Sequence, residues 1–263
     1  MDVEKHLELA LELADIADEI TMRRFRASDL VVETKPDLTP VSEADHAVER
    51  AVRDHLARVA PDHVVLGEEF GEDAGAAKDR RFRWVIDPID GTKNYVRSVP
   101  VWASLIALEV DREPVVGVVS APALHSRWWA GRGLGAFRDG EPSHVSAVDH
   151  LDDAHLSFSW DSEVRFNTEG IGERLLALSQ RCWRTRGLGD FWQHVLVADG
   201  AFDISIDPIV SLWDVAALVP IVEEAGGRCT TLGGARDFSG GSFVCTNTRL
   251  HDTVLAAFAP SVE

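Results

Sequence analysis

Cysteine is scarce in this chain of 263 residues: Cys182, Cys229 and Cys245 stand far apart and form no Cys-x-x-Cys pair. That excludes a disulfide framework and a zinc cage, and it predicts three buried, reduced thiols. Long apolar runs are missing too, and none reaches the roughly 20 residues needed to span a bilayer. The opening Met1-Asp2-Val3-Glu4-Lys5-His6 has no basic leader followed by an apolar segment. A cytoplasmic location and no membrane partner are therefore expected. Basic residues are few: 26 Lys and Arg stand against 44 Asp and Glu, for a formal net charge of −18. Such a surface repels nucleic acid, which is not an expected partner, and most of its charge serves solubility. It repels phosphorylated molecules as well, and any phosphate site must draw its attraction locally, from metal ions and backbone amides.

What the chain has is apolar material, 45% of its residues, enough for a full core as one large domain or two closely joined halves. Its focus is Trp84-Val85-Ile86-Asp87-Pro88-Ile89-Asp90-Gly91-Thr92-Lys93-Asn94-Tyr95-Val96. Val85 and Ile86 read as a strand inside a sheet, and Pro88, which lacks an amide hydrogen, is expected to take the chain out of the ladder. Asp87 is thereby held at a rigid sheet edge, and the following turn brings Asp90 back near it. Two carboxylates crowded together without a basic partner repel each other. The simplest remedy is a cation, and all-oxygen ligation suits Mg²⁺, Mn²⁺ or Ca²⁺ rather than zinc or copper. Gly91 leaves its backbone amide unobstructed, and the Thr92 hydroxyl can orient a water or touch a metal. Read alone, Asp-Pro-Ile-Asp-Gly also describes a plain surface turn.

Taken in order, residues 3–24 place Leu9, Leu13, Ile16 and Ile20 at helical spacing, with Glu4, Glu8, Glu12, Asp15 and Glu19 as a solvated opposite face. Residues 30–34 read as a short strand and 35–40 as loop. Ser42-Glu43-Ala44-Asp45 then opens a second helix with a capping-box pattern, in which Asp45 is a favourable first-turn carboxylate. Val64-Val65-Leu66 is a buried strand with Gly67-Glu68-Glu69 at its end, where a carboxylate can converge on Asp87; spacing does not separate Glu68 from Glu69. Residues 72–83 form a surface excursion. Residues 101–110, 115–120, 127–130 and 136–138 continue the sheet, and the cluster Gly131-Arg132-Gly133-Leu134-Gly135 precedes a strand, so it is a hairpin turn rather than a nucleotide loop. Beyond it come strands over 155–159, 182–188 and 202–206, helices over 169–181 and from Asp190 to Gly200, and a turn at Asp207-Pro208. Trp213-Asp214 begins a helix closed by Gly226-Gly227, within which Pro220 implies a kink or a late first turn. Strands over 229–232 and 242–245 and a helix over 250–258 complete the chain.

Asp87-Pro-Ile-Asp-Gly-Thr-Lys-Asn resembles the signature of the inositol monophosphatase family of metal-dependent phosphatases. Gly67-Glu68-Glu69 upstream, and Leu212-Trp213-Asp214-Val215-Ala216-Ala217 with Glu224-Ala225-Gly226-Gly227 downstream, match further blocks in the family's order. The resemblance covers nearly the whole chain. It implies an α/β fold, a layered αβαβα sandwich of the inositol monophosphatase and fructose-1,6-bisphosphatase type, as one domain over 1–263 with approximate halves 1–145 and 146–263, and a homodimer. It further implies that Glu68, Asp87, Asp90 and Asp214, with the Ile89 carbonyl and the Thr92 hydroxyl, hold two or three Mg²⁺, with Mn²⁺ as a substitute. Asp45 and Thr92 would activate the attacking water, and Glu69 would stand beside the ligands. Displacement would be in line, without a cysteine, serine or histidine nucleophile. A phosphoaspartate route is the weaker alternative, because the Asp-x-Asp pattern it uses is absent.

The substrate implied is a small phosphate monoester. The run from Asp90 to Trp102 resembles the histidinol-phosphate phosphatases within the family more than the inositol enzymes, with Tyr95 where phenylalanine is usual. Asp190 stands where the inositol enzymes have a small residue, and Asp207 matches an acidic substrate contact; extra carboxylates suit a substrate with an amine and an imidazole. Gly91, Thr92, Asp190, Asp207 and Arg186 are the expected substrate contacts, although Asp190 also reads as a cap and Asp207 as a turn residue. Trp102 and Trp192 border the pocket or pack beneath it. The expectation is a Mg²⁺-dependent L-histidinol-phosphate phosphatase of histidine biosynthesis. The alternatives are an inositol monophosphatase or broad sugar phosphatase and, in another class, a binding partner of the transcription machinery, against which four buried acids without a task would argue.

Overall fold

The apolar spacing at the start of the chain produces helix α1 (Val3–Arg24), which the Asp2 side chain caps by accepting from the Lys5 amide at 3.2 Å. In the computed structural model, which describes residues 1–73, 79–159 and 170–259, it is followed by hairpin strands β1 (Val32–Thr34) and β2 (Pro40–Ser42), helix α2 (Glu43–Val59), β3 (Val64–Gly67) and β4 (Gly71–Glu72). Next come β5 (Phe82–Asp90), the short α3 (Thr92–Val96), β6 (Ala103–Val110), β7 (Glu113–Ala121), β8 (Ser126–Gly131), β9 (Gly135–Arg138) and β10 (Glu141–Pro142). The remainder supplies β11 (His155–Phe158), α4 (Ile171–Ser179), β12 (Arg184–Arg186), α5 (Asp190–Ala198), β13 (Ile204–Ser211), α6 (Leu212–Val215), α7 (Leu218–Glu224), β14 (Arg228–Thr230), β15 (Gly240–Thr246) and α8 (His251–Phe258).

Strands β3 to β10 form an eight-stranded sheet in the order β10-β9-β8-β7-β6-β5-β3-β4, and a five-stranded sheet runs β12-β11-β13-β15-β14. Side chains alternate across the larger sheet. Trp84, Ile86, Ile106 and Val118 pack beneath α1 and α2, while Val85, Leu105, Val119 and Trp128 meet the residues of α5, α6 and α7 on the other face. Phe243 and Cys245 of β15 close that middle layer, and Leu156, Ile204 and Val244 on the far face of the smaller sheet pack with α4 and α8. The result is the helix, sheet, helix, sheet, helix layering of an α/β sandwich. No helix among the described residues is long and apolar enough to cross a membrane.

Several expected boundaries move. Residues 35–40 are not free loop but the turn of the β1–β2 hairpin, closed by the Lys35 amide donating to the Thr39 carbonyl at 2.8 Å. The strand expected over 182–188 shortens to β12, and the helix expected over 169–181 is α4, with Glu169 outside the described residues. The glycine cluster is a hairpin between β8 and β9. Cys229 and Cys245 are buried, but Cys182 is only half-buried. Pro220 occupies the first turn of α7, where a missing amide hydrogen costs nothing, so the helix from Leu212 is divided in two rather than kinked.

Neither Asp-Pro ends its strand. β5 pairs with β6 through Asp87↔Leu105, shifts register, and resumes at Asp90↔Ala103, so Pro88 and Ile89 form a bulge. β13 does the same against β15, with the shift between Asp207 and Val210. In each case the aspartate before the proline stays paired in the ladder, and the sheet remains continuous around the bulge.

Candidate active site

A cavity of about 290 Å³ opens where β3, β5, α3, α5, α6 and β13 meet, with Glu68, Asp87, Asp90, Thr92, Asp190, Asp207 and Asp214 in its wall. Carboxylate oxygens of Asp87, Asp90 and Asp214 lie within 4.8 Å of one another. Asp87 is buried; its carboxylate accepts from the Ile89 amide at 3.0 Å, while Ser104 Oγ donates to the Pro88 carbonyl at 2.6 Å and fixes the bulge. Asp90 Oδ2 accepts from the Phe191 amide at 2.5 Å, which ties the end of β5 to the first turn of α5.

Asp214 and Asp45 are set by one device. Each is the third residue of its helix, and each carboxylate accepts from the backbone amide of the N-cap serine: Ser211 for Asp214 at 2.7 Å, Ser42 for Asp45 at 2.8 Å. In both places the capping carboxylate and the expected functional carboxylate are thus the same residue. Thr92 Oγ1 lies 2.9 Å from the Ile89 carbonyl and 3.3 Å from Asp45 Oδ1, joining the signature to α2. Gly91 has φ of 82°, and a Cβ there would stand 3.1 Å from the Val101 carbonyl and 3.3 Å from Asp190 Oδ2, so a side chain would be both strained and crowded.

The electrostatics are those of crowded acids. Burial, then the charges of Glu68, Asp90 and Asp214, push the Asp87 carboxyl far above its usual range. Burial and the charges of Asp190 and Asp214 raise Asp90, and burial raises Asp214 to about 7 and Asp45 to about 6. The donor set is entirely oxygen, and no basic side chain is bonded to Asp87 or Asp214 among the described residues. That arrangement fits a hard divalent cation.

Glu68 follows β3, and its amide donates to the Ile86 carbonyl at 3.1 Å, which places it beside the end of β5. Two residues absent from the sequence reading hold this corner. Lys35 Nζ, reaching in from the β1–β2 hairpin, lies 2.7 Å from Glu68 Oε1 and 2.7 Å from Glu69 Oε1. Burial disfavours its charge, but the two glutamates keep it protonated. The buried Glu49 carboxylate accepts from the Glu69 amide at 2.8 Å and the Phe70 amide at 3.2 Å, with Arg53 as its ion partner at 2.7 Å. A Cβ on Gly67 would fall 2.0 Å from Glu49 Oε1, so only glycine leaves room for that carboxylate.

The family model described as inositol monophosphatase matches residues 2–263. The chain belongs to the inositol monophosphatase family. A Mycobacterium tuberculosis protein named Histidinol-phosphatase is 56% identical over 254 residues, covering 95% of this chain and 96% of the relative. The extragenic suppressor protein suhB of Bartonella henselae has TM-score 0.90 at 26% identity, covering 98% of this chain and all of that one. An IMPase/NADP phosphatase solved with Mg²⁺ and phosphate has TM-score 0.85 at 25% identity, covering 98% of this chain and 96% of that one. The layered α/β sandwich is therefore the inositol monophosphatase fold, and the chain is a phosphoric monoester hydrolase.

Around the cavity of this family member, the remaining expected contacts divide. Asp190 lines it and accepts from Asn94 Nδ2 at 3.1 Å. Asp207 lines it too, but as a buried strand residue held by other side chains rather than in a turn. Arg186 does not reach it: the side chain is exposed on the short edge strand β12 and donates to the Thr185 carbonyl. Glu69 shares Lys35 with Glu68 but does not itself line the cavity. Trp102 is fully buried against Phe25 and Tyr95, and Trp192 packs on the middle layer, so both are core. His194, lining the cavity floor, had no motif to reveal it.

Proposed function

We propose that this phosphatase hydrolyses L-histidinol phosphate to L-histidinol and inorganic phosphate, using Mg²⁺ at Asp87, Asp90 and Asp214. The observation that carries the metal half is the convergence of those three carboxylates within 4.8 Å. Glu68, the Ile89 carbonyl and the Thr92 hydroxyl complete the proposed donor set, with four carboxylates matching the charge of two divalent ions. The substrate half is supported by two further acids, Asp190 and Asp207, in the same wall, and by the 56% identity to a histidinol-phosphatase. A substrate carrying an amine and an imidazole supplies cationic donors for both acids.

When bound, the cation neutralises the phosphate and contributes Lewis acidity. The chain's own part is to place and deprotonate the water. Thr92 lines the cavity, and its Oγ1 lies within hydrogen-bond distance of both the Ile89 carbonyl and Asp45 Oδ1, so the hydroxyl joins the cavity to that carboxylate. Asp45 is fully buried behind Thr92 and does not line the cavity, so the water's proton passes to the Thr92 oxygen as the Thr92 hydrogen passes to Asp45 Oδ1; raised to about 6 by burial, that carboxyl is ionised at neutral pH yet basic enough to receive it. The water oxygen becomes the fourth oxygen of phosphate, and the ester oxygen leaves with a proton as the alcohol of L-histidinol.

Phosphate release from L-histidinol phosphate and inositol 1-phosphate, compared with Mg²⁺ and with EDTA, tests both halves. The expected result is Mg²⁺-dependent release that strongly favours L-histidinol phosphate. A preference for the inositol ester overturns the substrate assignment, and release that EDTA leaves untouched overturns the metal assignment.

A further inference from the structure

The floor of the cavity contains a buried side-chain network that the phosphate chemistry does not use. Asp207 Oδ2 receives two nitrogens, His194 Nε2 at 2.6 Å and Gln193 Nε2 at 2.7 Å. Both donors are immobilised from behind. His194 Nδ1 is 2.8 Å from Ser205 Oγ, its ring lies 5.0 Å from that of Phe243, and its residue is 1% exposed. The Gln193 amide is oriented by Ser157 Oγ, which donates to Gln193 Oε1 at 2.8 Å, so its nitrogen faces Asp207. Asp207 Oδ1, by contrast, has no hydrogen-bond partner among the described residues, and it is not one of the buried side-chain atoms left without one. Since Asp207 lines the cavity, that oxygen meets whatever enters.

Ser205, His194 and Asp207 stand in the order of a hydrolytic triad, but Ser205 is fully buried within β13 and no substrate can reach its hydroxyl. The ring must act in another way. Resting on the histidinol phosphate reading, we propose that His194 is a positioning residue for specificity: with Gln193 it locks Asp207 Oδ2, so that Oδ1 presents a single oriented acceptor to a nitrogen of the substrate's alcohol half. A carboxylate with both oxygens free rotates and accepts equally from a hydroxyl or a cation. One held by two donors offers a fixed lone-pair direction, and a ligand whose N–H lies on that line gains most. The lock needs only a hydrogen on Nε2, which the Ser205 hydroxyl permits by donating to Nδ1; burial opposes a charged imidazole, while Cys245 and Asp207 favour the protonated ring.

The test compares L-histidinol phosphate with p-nitrophenyl phosphate, which lacks the amine and imidazole, in the Mg²⁺-loaded full chain. For His194→Ala we expect KM for L-histidinol phosphate to rise about tenfold or more while kcat changes less, and the loss in kcat/KM to be several-fold smaller for p-nitrophenyl phosphate. His194→Gln, which keeps one donor, restores part of the KM. If His194→Ala does not fold, Gln193→Leu and His194→Gln carry the same comparison. Equal losses on both esters, or none on either, overturn the proposal. Wild-type enzyme that releases no phosphate from L-histidinol phosphate sinks the substrate reading itself, which is a separate result.

Discussion

Asp45 and Asp214 show how one capping geometry supplies two chemistries. Each carboxylate spends an oxygen on the amide of its serine cap, which fixes the direction of the other. Asp214→Asn keeps an oxygen for the Ser211 amide but removes the charge. Its phosphate release with Mg²⁺ should fall below detection while its melting temperature stays close to wild type, and full activity would remove Asp214 from the proposed ligands. Asp45→Asn should lower kcat by about 10²–10⁴-fold, the usual value of a general base. In wild type, kcat should climb as pH rises through about 6, where Asp45 loses its proton, with nearby cations moving that limb downward. A profile of kcat between pH 5 and 9 reads this directly, and the Asn variant should lack the limb.

At the scale of elements, the corner between α2 and β3 carries its own prediction. The Glu49 carboxylate is pinned by Arg53 and two amides, so it cannot yield to a Cβ at Gly67. Gly67→Ala should cost about 1–3 kcal/mol, as overpacking does. It should also raise the Mg²⁺ concentration needed for half-maximal rate, because Glu68 is the next residue; denaturant melts and a Mg²⁺ titration measure the two effects. How far such arrangements can be read in sequence depends on distance along the chain. The Ser42–Asp45 box is a matter of three residues and was legible, as were α1 and the β8–β9 hairpin. The bulges were half legible: proline forbids one ladder bond locally, but whether the strand resumes is decided by β6 and β15, which lie elsewhere in the chain. Lys35 and Glu49 were illegible for the same reason, since Lys35 meets Glu68 across 33 positions and Glu49 meets the Glu69 amide across 20. Arg186 lies exposed on the edge strand β12, and which side of an edge strand a residue takes is not written in its sequence neighbours.

Across the whole molecule, the raised carboxyls set the pH dependence of the metal-free fold. A carboxyl whose folded pKa exceeds its unfolded value binds its proton more tightly in the fold. Its stabilising contribution is present below the unfolded value near 3.8 and is lost as pH rises through the folded one, about 6 for Asp45 and about 7 for Asp214. EDTA-treated protein should therefore melt at lower temperature at pH 8 than at pH 5.5, and the increase in melting temperature on adding Mg²⁺ should be larger at pH 8. An equal Mg²⁺ effect at both values would mean that these acids do not titrate in the fold. The protein without metal should still unfold cooperatively, and restored Mg²⁺ should restore activity.

That last expectation follows from Lys35, whose single ammonium is shared by Glu68 and Glu69 and offsets part of their charge, while protons quiet the neighbouring aspartates. A polypeptide with such a built-in counter-ion does not wait on mineral supply to fold. On the proposed Mg²⁺ dependence, ribosomal output and ion uptake could then vary separately, and a shortage of magnesium would idle the enzyme without sending it to the proteases.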